Sequence, residues 1–231
     1  MSRRAELAAS LASVRAHIAA ACASAGRDAA EVTLVAVTKT FPASDIRLLA
    51  ELGVTDIGEN RDQEARAKHS ECRDPALRWH FVGQLQRNKA RSVATYADVV
   101  HSVDSVELAS ALDRGAGRAG RAILALVQVS LDGDPSRGGA VGPTVARVCA
   151  AVAECGNLRL GGVMAVAPQG VDADSAFADL AAVAADVRST YPEATVISAG
   201  MSGDLDAAIR HGATHVRIGT ALLGRRGAPV G

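Results

Sequence analysis

Apolar and polar positions along the chain alternate between short solid runs and longer periodic stretches. Leu34, Val35, Ala36, Val37 and Thr38 form an apolar, β-branched run that ends in Lys39, followed by Thr40, Phe41 and Pro42. That is the pattern of a buried strand with a turn after it. Before it, Leu7, Leu11, Val14, Ile18 and Cys22 recur three or four residues apart, which predicts an amphipathic helix packed on a body. After it the pattern predicts strands over 32–39, 55–58, 79–82, 98–102, 122–130, 158–166, 194–198 and 215–218. Helices are predicted between them over 44–52, 60–71, 86–95, 104–115, 143–154, 172–189 and 203–211, with a closing turn from Thr220. Gly53 reads as a helix C-cap, and Asn60 with Gln63 and Asp104 with Glu107 read as capping boxes. Eight strands, each followed by a helix or turn and too apolar for a sheet with one wet face, predict a (β/α)8 barrel with an extra N-terminal helix, one domain over 1–231. A doubly wound open sheet is the alternative, because closure is not written in the pattern.

Composition narrows the classes. With 231 residues and 48% hydrophobic content the chain can bury one large core. Lys plus Arg equals Asp plus Glu at 25 each, so no overall field draws nucleic acid or an anionic membrane, and neither is expected as a partner. The longest apolar run, 122–129, is strand-sized, far short of the roughly 20 residues of a membrane span. Arg3, Arg4, Glu6, Arg15 and His17 interrupt any signal-peptide core, so a cytoplasmic location is expected. Cys22, Cys72, Cys149 and Cys155 show neither paired nor framework spacing and read as small buried thiols in a reducing compartment.

Lys39 is the residue that asks for an explanation. One reading is a lysine snorkelling from a strand end to water; the other is an amine that forms a Schiff base with a carbonyl compound. In a barrel, function collects at the C-terminal strand ends, and the loops after strands seven and eight commonly hold a phosphate. Those loops here are Ser198, Ala199, Gly200, Met201, Ser202, Gly203 and then Gly219, Thr220. Glycine amides and hydroxyls of this kind make a phosphate cradle, provided that Asp204 and Asp206 of the next helix face outward. Strand alternation gives Arg217 the parity of Gly219, so closure would bring Lys39 and Arg217 together near the mouth, where a second cation favours the free amine. Pairing of Arg217 with Glu59 is the ordinary alternative. Lysine, cradle and arginine together fit an aldehyde bearing a phosphate, either pyridoxal 5'-phosphate or a phosphosugar held by a lysine-type aldolase. The loop over 131–142 reads equally as a lid or as a surface excursion.

Five segments carry a resemblance: 35–40, Gly58-Glu59-Asn60, 79–89, Gly200-Met201-Ser202-Gly203-Asp204 and 216–220. Together they resemble the YggS/PROSC family of pyridoxal phosphate homeostasis proteins over nearly the whole chain. The resemblance implies a barrel like the first domain of alanine racemase. It implies pyridoxal phosphate held as an internal aldimine on Lys39, Arg217 near the pyridine nitrogen and Asn60 near the ring. Ser198, Gly200, Met201, Ser202, Gly219 and Thr220 would hold the phosphate. It further implies a monomeric carrier and regulator of vitamin B6 and amino acid pools with no established reaction, and apo enzymes as recipients of the cofactor. A racemase-like enzyme is the alternative; it would need a second base, and Tyr96 and Tyr191 lie at no predicted strand C-terminus. Arg61 stands where many members have tyrosine, and Arg137-Gly138-Gly139 where a lysine segment is common. Within 79–89, Arg87 and Lys89 read as a solvated helix face or as a second, transient cofactor site.

Overall fold

A computed structural model describes residues 2–74, 76–134 and 137–224. Eight parallel strands close on themselves in sequence order: β1 (Thr33–Val37), β2 (Asp56–Glu59), β3 (Arg78–Phe81), β4 (Val99–Val103), β5 (Ile123–Gln128), β6 (Leu158–Met164), β7 (Val196–Ser198) and β8 (His215–Ile218). Closure is the pairing of β1 with β8, with Thr33 opposite His215 and Val35 opposite Arg217, and it removes the open-sheet alternative. Around the barrel lie α2 (Ala43–Glu51), α3 (Asp62–Glu71), α4 (Ala90–Val93), α5 (Val106–Ala119), α6 (Pro143–Ala153), α7 (Ala173–Thr190), α8 (Leu205–Arg210) and α9 (Thr220–Leu223). The N-terminal helix α1 spans Arg3–Ser24.

Alternation along each strand divides the core in two. Ala36, Ile57, Trp79, Phe81, Val100, Ile197, Val216 and Ile218 belong to the large cluster between barrel and helices. Their neighbours therefore face the barrel interior. Val99, Leu126 and Met164 form a separate small apolar cluster there, with Leu124 and Val196 against it. Val35 and Val37 of β1 also face inward, and the other interior positions are polar groups on which the site is built.

By length and composition α1 is apolar enough to cross a bilayer. Here its stripe of Leu7, Leu11, Val14, Ile18, Ala21 and Cys22 is buried. Arg3 ties the helix down, bonding Asp45 Oδ2 at 2.6 Å and Leu223 O at 3.0 Å.

Several predicted boundaries move, each for a local reason. β1 stops at Val37, so Lys39 lies two residues beyond the strand. Neither capping box forms. The N-cap of α3 is Arg61, without a side-chain bond, because Asn60 has its Oδ1 buried; α5 starts from Ser105, whose hydroxyl bonds Asp104. α5 continues past Gly115, where an added Cβ would lie 3.0 Å from Ala94 Cβ, so that glycine serves close helix packing. Gly120, at φ 63°, ends it. The helix expected over 86–95 is a 3-10 turn, Arg87–Lys89, leading into α4.

Gly162 carries the sharpest backbone requirement. It holds φ 141°, and a Cβ there would sit 2.0 Å from Val196 O across the β6–β7 ladder. Gly162→Ala is expected to cost about 3 kcal/mol or more, read as a shift in the urea midpoint. A loss below about 1 kcal/mol would show that the two strands can part locally.

Candidate functional site

Lys39 sits in a turn closed by the Phe41 N–H to Thr38 O bond of 3.0 Å. It is exposed, and among the described residues its amine has no partner. Both neighbours are fastened. Thr38 is buried; its hydroxyl donates to Glu59 Oε1 at 2.6 Å, and its carbonyl accepts from Lys68 Nζ at 2.8 Å. Thr40 holds φ 69°, a left-handed conformation seldom adopted by a β-branched residue, and its N–H bonds Glu64 Oε1. Lys68 Nζ completes the clamp at 2.7 Å from both Glu59 Oε1 and Glu64 Oε1. Burial pushes the Glu59 carboxyl above its ordinary range, against the pull of the Lys68 and Thr38 hydrogen bonds. In the sequence this cluster shows only as a polar helix; the lone acid at inner-core depth in Gly58-Glu59 is its one signal.

Arg217 lies deeper. Register places it opposite Val35, four residues before Lys39 in the chain. The two cations thus start from different depths, one exposed at the mouth and one buried on the floor, where its guanidinium reaches the C-terminal ends of β6 and β7. The alternative pairing with Glu59 is removed, since Glu59 binds Lys68. Arg217 is 6% exposed and donates through Nη1 to Ser198 Oγ at 2.7 Å and through Nη2 to Ala165 O at 2.9 Å. Burial pushes its pKa down to about 10, with Asp204 acting in the opposite direction; it stays charged at neutral pH.

Ser198 is fully buried, and its hydroxyl is taken up by Arg217 and His101, so it belongs to the floor and not to the phosphate rim. Gly200 lies just above, its carbonyl accepting from Arg217 N at 2.9 Å, which ties the loop after β7 to strand β8. Met201, Ser202 and Thr220 are exposed on those loops and Gly219 is half-buried between them. Asp206 faces outward to His17, at 2.9 Å. Asp204 does not: its Oδ1 turns back onto Met201 N at 2.6 Å. That amide is satisfied by the chain itself, leaving the Ser202 and Thr220 hydroxyls and the Gly219 turn as the cradle. Asn60, at the end of β2, has its Oδ1 buried without a partner.

Beside Asn60 an open groove of about 650 Å³ runs between α3 and the 3-10 turn, with Arg61, Gln84 and Lys89 on its walls. Arg87 and Lys89 are exposed, as a solvated face requires. In the loop after β5, Arg137 folds back, bonding Asp132 Oδ2 at 2.8 Å and Ala167 O at 3.0 Å. Residues 135 and 136 of that loop lie outside the described residues. Tyr96 precedes β4 and Tyr191 precedes β7, so both tyrosines of the chain lie at the face opposite the mouth.

Beneath Arg217 a hydrogen-bond chain crosses the barrel interior. His101 Nδ1 meets Ser198 Oγ at 2.9 Å, His80 Nδ1 meets His101 Nε2 at 2.8 Å, and His80 Nε2 meets Asp56 Oδ1 at 2.9 Å. Sequence reasoning missed His80 and His101; the available signal is a histidine at inward parity on each of two adjacent strands. Burial pushes both below the usual histidine range, and His215 down to about 4. These groups stay neutral in the fold, whereas in the unfolded chain they take up protons below about pH 6.5. Stability is therefore expected to fall as pH drops below about 6.5, with His215 contributing about 1.4 kcal/mol per pH unit down to about pH 4 and His80 and His101 adding in the same direction. Urea denaturation at pH 7 and pH 5 reads this; equal midpoints would show the imidazoles already charged in the native state.

The family model for the alanine racemase N-terminal domain matches residues 9–227. A Mycobacterium tuberculosis protein named pyridoxal phosphate homeostasis protein is 45% identical, over 97% of this chain and 94% of that protein. Its Escherichia coli namesake is 38% identical over 96% and 97%. This chain belongs to the pyridoxal phosphate homeostasis protein family. Among solved structures, PipY of Synechococcus elongatus, with pyridoxal phosphate bound, superposes with a TM-score of 0.83 at 37% identity, covering 94% of this chain and all of that one. The Streptomyces coelicolor alanine racemase shares the fold, with a TM-score of 0.74 at 20% identity, and this chain covers 59% of it.

Proposed function

We propose that this family member binds pyridoxal 5'-phosphate at the barrel mouth, holds it covalently through Lys39, and serves as a cytoplasmic, monomeric carrier in vitamin B6 and amino acid homeostasis. The observation that carries the reading is Lys39 itself, an amine without a partner whose two flanking residues are clamped. The chain has three lysines. Lys68 is buried under three acceptors and Lys89 stands on the wall of the groove beside Asn60, whereas Lys39 stands at the end of β1, next to β8 whose floor carries Arg217. The relatives' name and the PipY structure support the cofactor's identity.

The residues present fit that group. Ser202, Thr220 and the Gly219 turn offer hydroxyl and amide donors to a phosphate. The unpartnered Asn60 Oδ1 offers an acceptor beside the ring, and Arg217 waits on the floor. When bound, the cofactor supplies an electrophilic aldehyde and an electron-withdrawing ring. The chain's own residues restrain that reactivity. A charged Arg217 set opposite the ring nitrogen would disfavour its protonation, and with it the electron sink on which amino acid chemistry depends. With both tyrosines at the far face, no tyrosine offers itself as a second base. These features support a carrier over a racemase-like enzyme. Recipients are read as apo enzymes that dock on the mouth face, where the exposed Val106, Val141, Val166, Val171 and Met201 all lie.

The test is titration with pyridoxal 5'-phosphate and with pyridoxal, followed by visible absorption. The phosphate form is expected to bind at least about tenfold more tightly. Equal affinities would remove the cradle, and a protein that stays colourless with both would overturn the cofactor reading, returning Lys39 to the aldolase or snorkelling alternatives.

A further inference from the structure

Barrel interiors are ordinarily filled with layers of branched apolar side chains. Here Asp56, His80, His101, Ser198 and Arg217, from five different strands, meet inside. A buried polar set is costly unless every bond is made, and donor and acceptor accounting then fixes its direction.

Both ends of the chain of bonds impose the same direction. Asp56 is held below the ordinary carboxylate range: burial raises it, but the His80 hydrogen bond, the Thr55 hydroxyl and Arg78 outweigh that. As an ionised carboxylate it only accepts, so His80 carries its proton on Nε2. A neutral His80 then accepts at Nδ1, which puts the His101 proton on Nε2. His101 in turn accepts at Nδ1, and Ser198 must donate its hydroxyl proton there. From the other end, Arg217 only donates, so Ser198 Oγ accepts from Nη1 and its own proton is free for His101. Every link is satisfied in one direction.

We propose that His101, His80 and Asp56 are positioning residues for Arg217: a one-way relay of hydrogen bonds that locks Ser198 as its acceptor and links the guanidinium to a carboxylate across the barrel. The proposal rests on the reading of Arg217 as the group facing the cofactor ring. Among the described residues Arg217 has no direct ion pair, its other bond going to the Ala165 carbonyl. The relay supplies an anionic counterpart at a distance, without placing a carboxylate where the cofactor would have to sit. It also fixes the depth and rotation of the guanidinium, because Ser198 has one accepting orientation left to it.

The first arm of the test is 15N NMR of histidine nitrogens in the full chain without cofactor. His80 and His101 are expected neutral, each with its proton on Nε2; a proton on Nδ1 of either ring, or a charged imidazolium at pH 7, would overturn the relay. The second arm measures pyridoxal phosphate affinity. His101→Leu is expected to weaken it about tenfold, with His101→Gln, which still donates and accepts, recovering most of the loss. A folded His101→Leu protein with wild-type affinity would overturn the positioning role. Should His101→Leu fail to fold, Asp56→Asn keeps the acceptor for His80 and removes only the charge; about threefold weaker binding is expected, and unchanged binding overturns the electrostatic link. A wild-type protein that binds no cofactor would remove the proposed function, while the NMR arm would still decide the relay.

Discussion

Replacing Lys39 with alanine is expected to lower affinity for pyridoxal phosphate on the order of a hundredfold or more and to remove the visible absorption of the bound form. Stability should change by less than about 0.5 kcal/mol, since the side chain is exposed and bonded to nothing. The combination matters: the clamp on Thr38 and Thr40 is made by backbone groups and the Thr38 hydroxyl, all of which the substitution leaves in place. A large fall in melting temperature with Lys39→Ala would show that the amine holds the loop, contrary to this account. Retained colour would place the cofactor elsewhere.

The second large effect is expected at Lys68. Its ammonium, on a residue 6% exposed, binds Glu59, Glu64 and the Thr38 carbonyl. Lys68→Met would leave Glu59, which has no exposed surface, with an uncompensated charge and an Oε2 that already lacks a partner. Breaking a buried pair from one side costs about 3–5 kcal/mol, here roughly 10 °C in melting temperature. Glu59→Gln in the same chain removes the stranded charge, so the double variant should recover a substantial part of that loss. If Lys68→Met instead melts with the wild type, the clamp contributes little to holding the Lys39 turn, and Thr40 must be kept left-handed by something else.

The barrel was legible because parallel strands buried on both faces write themselves as solid apolar runs, and eight of them were present in order. The rim was legible for a related reason: Lys39, Gly219 and Thr220 stand where such runs stop. What could not be read is how far each run continues as strand. Val37 and Lys39 look alike in parity, yet the ladder ends at Val37 and the turn with its left-handed Thr40 begins. Capping residues were misplaced at Asn60 and Asp104 because local propensity was overridden, in one case by the burial of Asn60 Oδ1 and in the other by the Ser105–Asp104 bond. Asp204 looked like an ordinary helix-start acid; its turn back onto Met201 depends on the course of the Gly200 loop. Least visible was the relay: His80 and His101 lie on the neighbouring strands β3 and β4, but Ser198 and Arg217 are on β7 and β8, and the barrel's curvature brings the two pairs together across its interior.

The most direct measurement is borohydride reduction of the wild-type protein loaded with pyridoxal phosphate, with peptide mapping of the fixed adduct. With only three lysines in the chain, Lys39, Lys68 and Lys89, peptide mapping assigns the adduct to one of them or to the N-terminal amine. The account predicts one pyridoxyl adduct, on the peptide containing Lys39. An adduct on Lys89, Lys68 or the N-terminal amine, or none at all from a loaded protein, would contradict it.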